Sequence, residues 1–219
     1  VEVDGKRLVG KELVKWKYRR YLQDYLACVQ GVDDSVGTVL DYLDQTGLAT
    51  NTIVMYSSDN GWFLGELGLY DKRFMYEPGL HVPLLARGPG VKAGIVSTQF
   101  VVNIDLAPTF LDLAGVAIPR SVAGKSWLNL ASGKKSGWRT SFLFEYYMEQ
   151  QYARIPTYEA VRTAQWKYVH YTEVKDMDEL YDLKKDPQEM KNLINDAGAR
   201  KALDMMRKEL DKYRKEIPA

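Results

Sequence analysis

The strongest constraint on the fold is a long apolar stripe near the start of the chain. Between residues 18 and 43, apolar residues recur at steps of three and four, which is the period of one face of a helix. Gly47 is a suitable stop for that helix, because glycine readily takes the left-handed conformation that closes one. Residues 52–57 follow as a run rich in β-branched residues, and they predict a strand buried on both faces. A long helix leading into a buried strand predicts an α/β fold with a mostly parallel sheet flanked by helices.

The same alternation continues further along the chain. Residues 82–86 form a second short apolar run and predict a second strand. A helix is predicted over residues 106–114, with Asn103 or Asp105 as its cap and Gly115 at its end.

Beyond residue 137 the chain changes character. Short aromatic-rich runs are separated by turns, and short connections favour antiparallel pairing. A final amphipathic helix is indicated after Pro187. We therefore predict two domains, an α/β domain over residues 1–137 and a small antiparallel sheet with a carboxyl-terminal helix over residues 138–219. The predicted strands of the second domain are residues 141–147, 158–163, 166–171 and 179–183.

Charge and cysteine content exclude several classes of protein. The chain has 30 Lys and Arg against 29 Asp and Glu, so its formal charge of +1 provides no basic field for nucleic acid. The single cysteine, Cys28, excludes an internal disulfide and a multi-cysteine metal site. No apolar run reaches the roughly 20 residues of a membrane-spanning helix, and the first residues lack the apolar core of a secretory signal. We expect no nucleic-acid partner and no membrane span, and either the protein is cytosolic or residue 1 is not its natural start.

A dense polar cluster follows the first predicted strand. Ser57, Ser58, Asp59, Asn60 and Gly61 lie at its carboxyl end, where ligands bind in open α/β sheets. A carboxylate beside a carboxamide offers hard oxygen ligands for Ca²⁺ or Mg²⁺. The same residue types are typical of any turn after a strand, and the spacing alone favours the turn.

A second cluster lies eleven residues further on. Residues 70–77 place Lys72 and Arg73 beside aromatic and acidic residues, and either cation could bind an oxyanion such as sulfate or phosphate. Ion pairing on a solvated face explains the same residues, so the cluster alone is weak support for a site.

The motifs in combination, and in this order, closely resemble the carboxyl-terminal half of the formylglycine-dependent (type I) sulfatases, which belong to the alkaline-phosphatase-like superfamily. The resemblance spans nearly everything from about residue 18 to residue 193. It is carried by the segments 32–37, 51–61, 64–77, 81–85, 105–115, 160–163 and 179–183, with Asp186, Pro187, Asn192 and Leu193.

The resemblance implies a sulfuric ester hydrolase, acting on sulfated carbohydrates, whose catalytic domain includes residues 1–137. It implies that Asp59 and Asn60 are ligands of one divalent cation, usually Ca²⁺, and that Lys72 contacts the sulfate group. A cation and a lysine would together neutralise the ester and stabilise charge that develops in the transition state.

The chain departs from the family pattern at two positions. Leu67 stands where many relatives have a histidine, and His81 stands where most have an arginine. His81 could act as an acid or base, although a structural role at the foot of a strand is the simpler interpretation. We retain His81, Glu145 and Arg154 as candidate substrate-binding residues, the last two because a sugar or carboxylate would suit them.

The family's nucleophile is absent from this chain. Formylglycine is made from cysteine in a Cys-x-Pro-x-Arg or similar motif, and Cys28 lacks the following Pro and Arg. We expect Cys28 to be a buried structural thiol. The resemblance thus implies a fragment that is inactive alone, whose partner is the missing amino-terminal half bearing formylglycine and further metal ligands.

Two other functions stay open. A metal and a lysine also suit a phosphoryl oxyanion, which allows a phosphonate or phosphodiester hydrolase of the same superfamily. A non-catalytic sulfatase-like remnant is the third possibility. For an active parent enzyme, the resemblance implies a secreted, periplasmic or lysosomal location.

Overall fold

The computed structural model describes residues 1–134 and 137–216 and confirms a mixed α/β fold with a small antiparallel sheet and a carboxyl-terminal helix. Residues 135 and 136, beside the predicted domain boundary, and residues 217–219, at the end of the second predicted domain, lie outside the described residues. The strands are β1 (Glu2–Val3), β2 (Lys6–Arg7), β3 (Val54–Ser57), β4 (Leu84–Arg87), β5 (Ser141–Tyr146), β6 (Tyr158–Thr163), β7 (Trp166–Tyr171) and β8 (Glu179–Asp182). The helices are α1 (Gly10–Gln45), α2 (Glu77–Leu80), α3 (Leu106–Leu113), α4 (Leu128–Ala131) and α5 (Arg200–Glu216). In those described ranges, no helix is both long enough and apolar enough to cross a membrane.

The chain forms two compact units, which are described separately below. The first comprises Val1–Val54 with Ala86–Pro89, and the second comprises Met55–Leu85 with Gly90–Ala219. The predicted domain boundary at residue 137 stays a prediction.

Helix α1 dominates the first unit, as the apolar period predicts. It runs over 36 residues, and Gly47 follows it with a left-handed φ of 74°, as expected of a helix stop. No residue of α1 is buried, and Cys28 is exposed. The prediction of a buried thiol is therefore wrong, because an apolar stripe marks one face of a helix without providing the element that covers it.

Strands β3 and β4 pair in a two-stranded sheet, close to the two predicted runs. The burial predicted for β3 is wrong, since none of its residues is buried and the Tyr56 side chain is 38% exposed. Two strands form too small a face to bury a strand on both sides. At the end of β3, the Ser57 hydroxyl donates to the Pro83 carbonyl at 2.9 Å, which holds the start of β4 beside it.

The second unit contains the predicted antiparallel sheet, with strand order β5-β6-β7-β8. Side chains alternate between its two faces along each strand, as the period of two requires. On one face, Val161 and Tyr168 pack with Leu203, Met206 and Leu210 of α5. The other face packs against the segment that includes Met75 and Leu80. The residues that contact this segment are Ile155, Tyr158, Ala160, Val169 and Tyr171. The sheet therefore lies between the final helix and the segment that carries Lys72.

A buried ionic cluster, made of Lys167, Glu77, Glu189 and Arg162, joins that segment to the sheet. The Lys167 side chain is completely buried, and its ammonium donates to the Met75 carbonyl at 2.8 Å. Its Nζ also lies 2.8 Å from Glu77 Oε1 and 2.6 Å from Glu189 Oε1, the latter an ion pair without hydrogen-bond alignment. Arg162 donates from Nε and Nη2 to both oxygens of Glu77, at 3.2 and 2.9 Å.

The pKa values of the two carboxylates of the cluster shift in opposite directions. Burial alone would raise the pKa of Glu77, but the hydrogen bond from Arg162 and the charge of Lys167 lower it to about 2. Burial raises the pKa of Glu189 despite its ion pair with Lys167. Glu77 therefore stays ionised in the folded protein well below the pH at which it would be protonated in the unfolded chain.

Asp105 does not cap helix α3 as predicted. The predicted helix over residues 106–114 is confirmed as α3, but the Asp105 side chain makes no capping bond to it. Instead the buried carboxylate pairs with Arg139 and accepts hydrogen bonds from the backbone N–H groups of Val102 and Lys125. Burying an unpaired carboxylate costs more free energy than leaving a helix end without a side-chain cap. This explains why Asp105 pairs with Arg139 instead of capping α3.

Two glycines permit a close backbone contact next to the polar cluster after β3. The Gly61 N–H donates to the Gly79 carbonyl at 2.8 Å, and a Cβ on Gly61 would lie 2.0 Å from the Pro78 carbonyl oxygen. A Cβ on Gly79 would meet the Phe74 carbonyl oxygen at 2.8 Å. The residues after β3 thus lie directly against helix α2 because neither glycine carries a side chain.

Lys167→Met tests the ionic cluster. Removing the ammonium leaves Glu77 and Glu189 buried with less compensation, so the free energy of unfolding should fall by about 3–5 kcal/mol. Urea unfolding followed by circular dichroism measures the change. The matched control is Lys184→Met, at an exposed position near β8, which should stay within about 0.5 kcal/mol of the parent protein. Equal stability of the two variants would contradict the role assigned to Lys167.

Two glycine-to-alanine substitutions should change the free energy of unfolding in opposite directions. Gly61→Ala should destabilise the protein by at least about 1 kcal/mol, because its Cβ collides with backbone rather than with a flexible side chain. Gly37→Ala lies in α1 with open space around its Cβ and should stabilise the helix by up to about 1 kcal/mol. A urea midpoint of Gly61→Ala at or above that of the parent protein would show that the Gly61 contact is not tight in solution.

Candidate functional site

The polar cluster after β3 folds into a turn that leaves ligand atoms uncommitted. The Asn60 N–H donates to Asp59 Oδ1 at 2.9 Å, and Asn60 Nδ2 donates to the Gly61 carbonyl at 2.8 Å. Asn103, which lies just before α3, donates from Nδ2 to the Asp59 carbonyl at 2.9 Å and so holds the turn in place. These contacts do not use Asp59 Oδ2 or Asn60 Oδ1. The same geometry is therefore compatible with a turn and with a pair of metal ligands.

A divalent cation fits the chemistry of these two side chains but needs more ligands than they supply. Asp59 is exposed and Asn60 is half-buried, and each presents the hard oxygen that Ca²⁺ prefers. Ca²⁺ takes about 6–8 oxygen ligands, so these two residues would supply fewer than half of the ligands of a site. Across residues 1–134 and 137–216, no group of three or more His, Cys, Asp or Glu side chains could hold a metal ion.

The loop after this turn brings residues 71–73 back to it. The Phe63 N–H donates to the Asp71 carbonyl at 2.9 Å, and the buried Phe63 ring packs edge-on against Tyr76. Leu67 lies in this loop with a left-handed φ of 55°, exposed to solvent where the family pattern has histidine. The fold thus joins the loop that follows the first polar cluster to the start of the second cluster.

The structure distinguishes Lys72 from Arg73, which the residue types alone leave equivalent and of which the family resemblance selects Lys72. Arg73 donates from Nε to Glu149 Oε1 at 2.9 Å and from Nη1 to Asp71 Oδ1 at 2.8 Å. Its guanidinium carbon also lies 3.5 Å from the centre of the Tyr152 ring. Lys72 is half-buried, and its ammonium makes no hydrogen bond or ion pair within the part of the chain that the structure describes. Of the two cations, Lys72 is the one available to an anion.

The three candidate substrate-binding residues are exposed, and no hydrogen bond or ion pair among the described residues joins them to Asp59, Asn60 or Lys72. His81 ends helix α2 and donates its backbone N–H to the Glu77 carbonyl at 2.8 Å, which agrees with a structural role. Glu145 on β5 accepts a hydrogen bond from the Tyr147 hydroxyl at 3.0 Å, which raises the pKa of that phenol. Arg154 has no hydrogen bond or ion pair within those same ranges.

Glu149 is the residue near the site that sequence reasoning missed. It contacts Arg73 across 76 positions of sequence, so no local spacing relates the two. The only sequence signal is indirect, since an acid in an aromatic-rich connection is a possible partner for a cation elsewhere. The hydrogen bond from Arg73 is the main cause of its lowered pKa.

Two protein families match this chain. Residues 65–216 match the family described as N-sulphoglucosamine sulphohydrolase, C-terminal, and residues 5–116 match the family described as Sulfatase. An N-acetylglucosamine-6-O-sulfatase of Bacteroides thetaiotaomicron is 41% identical over 204 residues, which are 91% of this chain and 37% of that protein.

Solved structures show the same relation. A protein in complex with its substrate D-glucosamine-2-N,6-O-disulfate is 39% identical with a TM-score of 0.90, over 95% of this chain and 43% of its own. A phosphonate monoester hydrolase from Silicibacter pomeroyi is 27% identical with a TM-score of 0.76, over 84% of this chain and 39% of its own.

The chain therefore covers only 37–43% of the length of these three relatives. Both family matches cover at least half of its 219 residues, and they overlap across the loop that carries Lys72. On these matches, together with the order of its motifs and its fold, the chain belongs to the sulfatase family.

Proposed function

We propose that this chain is the carboxyl-terminal part of a sulfuric ester hydrolase that acts on sulfated carbohydrates. The observation that carries the proposal is that the Lys72 ammonium has no partner among the described residues, whereas the neighbouring Arg73 donates to two carboxylates. A flexible, singly charged group suits a tetrahedral anion such as sulfate. The 41% identity to an N-acetylglucosamine-6-O-sulfatase supports a sulfated amino sugar as the substrate class.

Lys72 would bind the sulfate oxygens and stabilise the negative charge that builds on them as the ester bond breaks. Its half-buried position strengthens this interaction, because partial exclusion of water lowers the local dielectric constant. His81, Glu145 and Arg154 would contribute to binding the sugar, with Arg154 the best placed for a second anionic group since its guanidinium has no described partner.

Asp59 and Asn60 would hold a divalent cation, most simply Ca²⁺, through Asp59 Oδ2 and Asn60 Oδ1. A bound cation would supply further charge neutralisation for the ester. The remaining ligands and the formylglycine nucleophile would come from an amino-terminal portion outside this chain, and we propose that the chain alone is inactive. Secretion or a lysosomal or periplasmic location remains a prediction for the parent enzyme.

A second candidate is a phosphonate or phosphodiester hydrolase. It is favoured by the 0.76 TM-score to a phosphonate monoester hydrolase, and because a lysine and a cation would serve a phosphoryl oxyanion equally well. A non-catalytic sulfatase-like protein is the third candidate, and it predicts no turnover of any ester.

Lys72→Met tests the central assignment in the longer protein that contains this chain. Turnover of a sulfated N-acetylglucosamine should fall by roughly 10²–10³-fold, because one preorganised charge at the developing anion is lost. The matched control, Lys92→Met, changes an exposed lysine outside the site and should keep full activity.

The outcomes of that assay separate the candidates. Faster turnover of a phenylphosphonate ester than of the sulfate ester would favour the second candidate, and no turnover of either would favour the third. Aryl sulfate turnover by the 219-residue chain alone, lost in Lys72→Met, would contradict the proposal that the chain is incomplete.

Asp59→Asn tests the metal ligands without relying on activity. Loss of one carboxylate charge should weaken Ca²⁺ binding by at least about tenfold, measured by titration calorimetry on the longer protein. Ca²⁺ should also raise the melting temperature of the parent protein, and less so that of the variant. Asp41→Asn, which removes an exposed carboxylate of α1, is the control. Equal affinity of both variants would remove Asp59 from the ligand set.

A further inference from the structure

We propose that Glu149 is a positioning residue for Lys72 and acts through Arg73 and Asp71. These three residues are called the relay below. The inference rests on the proposed role of Lys72 and adds residues that contact neither substrate nor cation. It explains why a connection of the antiparallel sheet matters to the chemistry of a distant loop.

The relay ends at the backbone of Lys72. A single oxygen, Asp71 Oδ1, accepts from the Lys72 N–H at 2.6 Å and from Arg73 Nη1 at 2.8 Å. The position of this oxygen therefore depends on Arg73, and the peptide group of Lys72 depends on the oxygen.

The middle of the relay is a guanidinium with a fixed orientation. Arg73 is 15% exposed, and its two engaged nitrogens point to two different carboxylates, Asp71 and Glu149. The ring of Tyr152 lies 3.5 Å from its central carbon, and the Tyr158 hydroxyl donates to its backbone carbonyl at 2.5 Å. A planar group held at its edge and its face cannot rotate without breaking several contacts.

The relay begins at Glu149, in the connection that follows strand β5. Its Oε1 accepts from the Tyr146 hydroxyl at 3.1 Å as well as from Arg73, and its Oε2 accepts from Gln151 at 3.3 Å. The carboxylate is thus anchored to the sheet on one side and to Arg73 on the other. Since Tyr146 is the last residue of β5, the reference point of the relay is the sheet itself.

The position of the Lys72 backbone matters because the flexible side chain does little to fix the position of the ammonium. A lysine ammonium lies at the end of four rotatable carbons, and no described partner holds it. A displacement of about 1 Å at a reacting group costs about 10²-fold in rate. Loss of the relay should therefore reduce catalysis while leaving the substrate-binding residues in place.

Glu149→Gln is the first test, in the longer protein acting on a sulfated N-acetylglucosamine. The amide keeps the shape but loses the charge that holds Arg73, so kcat should fall by about tenfold or more while KM changes by less than about threefold. Glu173→Gln, an exposed glutamate after β7, is the matched control and should leave both constants unchanged. A Glu149→Gln enzyme with unchanged kcat would overturn the proposal.

A double-mutant cycle separates positioning from general damage. In a Lys72→Ala background, Glu149→Gln should lower kcat by less than about twofold further, because the relay then has nothing left to position. Effects that multiply would assign Glu149 a structural role and overturn the relay. If Glu149→Gln lowers the urea midpoint, Arg73→Lys replaces it in the cycle, with the same two results deciding.

The cycle also distinguishes this inference from the proposed function. If Lys72→Ala itself leaves kcat unchanged, the role of Lys72 fails and the relay fails with it. If Lys72→Ala reduces kcat and Glu149→Gln does not, only the relay fails.

Discussion

A lysine that is wholly removed from water sets the position of the candidate site. An isolated buried ammonium costs several kcal/mol in lost hydration, and Lys167 offsets that cost only where Glu77, Glu189 and the Met75 carbonyl converge on it. The two carboxylates also balance Lys167 and Arg162, so the cluster is neutral as a whole. Because Glu77 opens α2 a few positions after Lys72, the constraint on the buried lysine becomes a constraint on the loop that would bind sulfate.

The arginine side chains around the loop are also paired with carboxylates. Arg162 binds Glu77, and Arg73 binds Asp71 and Glu149, so both guanidinium groups have carboxylate partners. Lys72 alone in this stretch has none among residues 1–134 and 137–216. The near-zero net charge of the chain thus conceals a local arrangement, in which both arginines around the loop are paired with carboxylates and Lys72 is not. Strand β6 carries Arg162, which pairs with Glu77 of α2, and the connection after β5 carries Glu149, which pairs with Arg73. These pairs join the antiparallel sheet to the segment that contains Lys72.

Sequence reasoning could predict most of the elements, but not the pairing of charges. The apolar period gave helix α1, and the aromatic runs gave the antiparallel strands, because both signals are local. Lys167 lies in the middle of such a run, where a lysine ordinarily indicates a solvent-facing position, and only the tertiary fold brings Glu189 to it. Cys28 shows the opposite error, since its place beside an apolar stripe suggested burial and it is exposed. The family resemblance selects Lys72 over Arg73, but the pairing of Arg73 with Glu149 could not be predicted, because no local spacing connects the two residues.

The turn after β3 shows why two interpretations that compete in a sequence need not compete in a structure. Asp-Asn-Gly was either a turn or a pair of metal ligands, and the turn was the more frequent use. A carboxylate and a carboxamide each have two functional atoms, however, and Asp59 contributes Oδ1 and Asn60 contributes Nδ2 to the hydrogen bonds of the turn. These bonds limit the rotation of both side chains and so also orient Asp59 Oδ2 and Asn60 Oδ1, as the proposed cation site would require. The structural role is therefore compatible with the proposed functional one, for which further ligands would come from outside this chain.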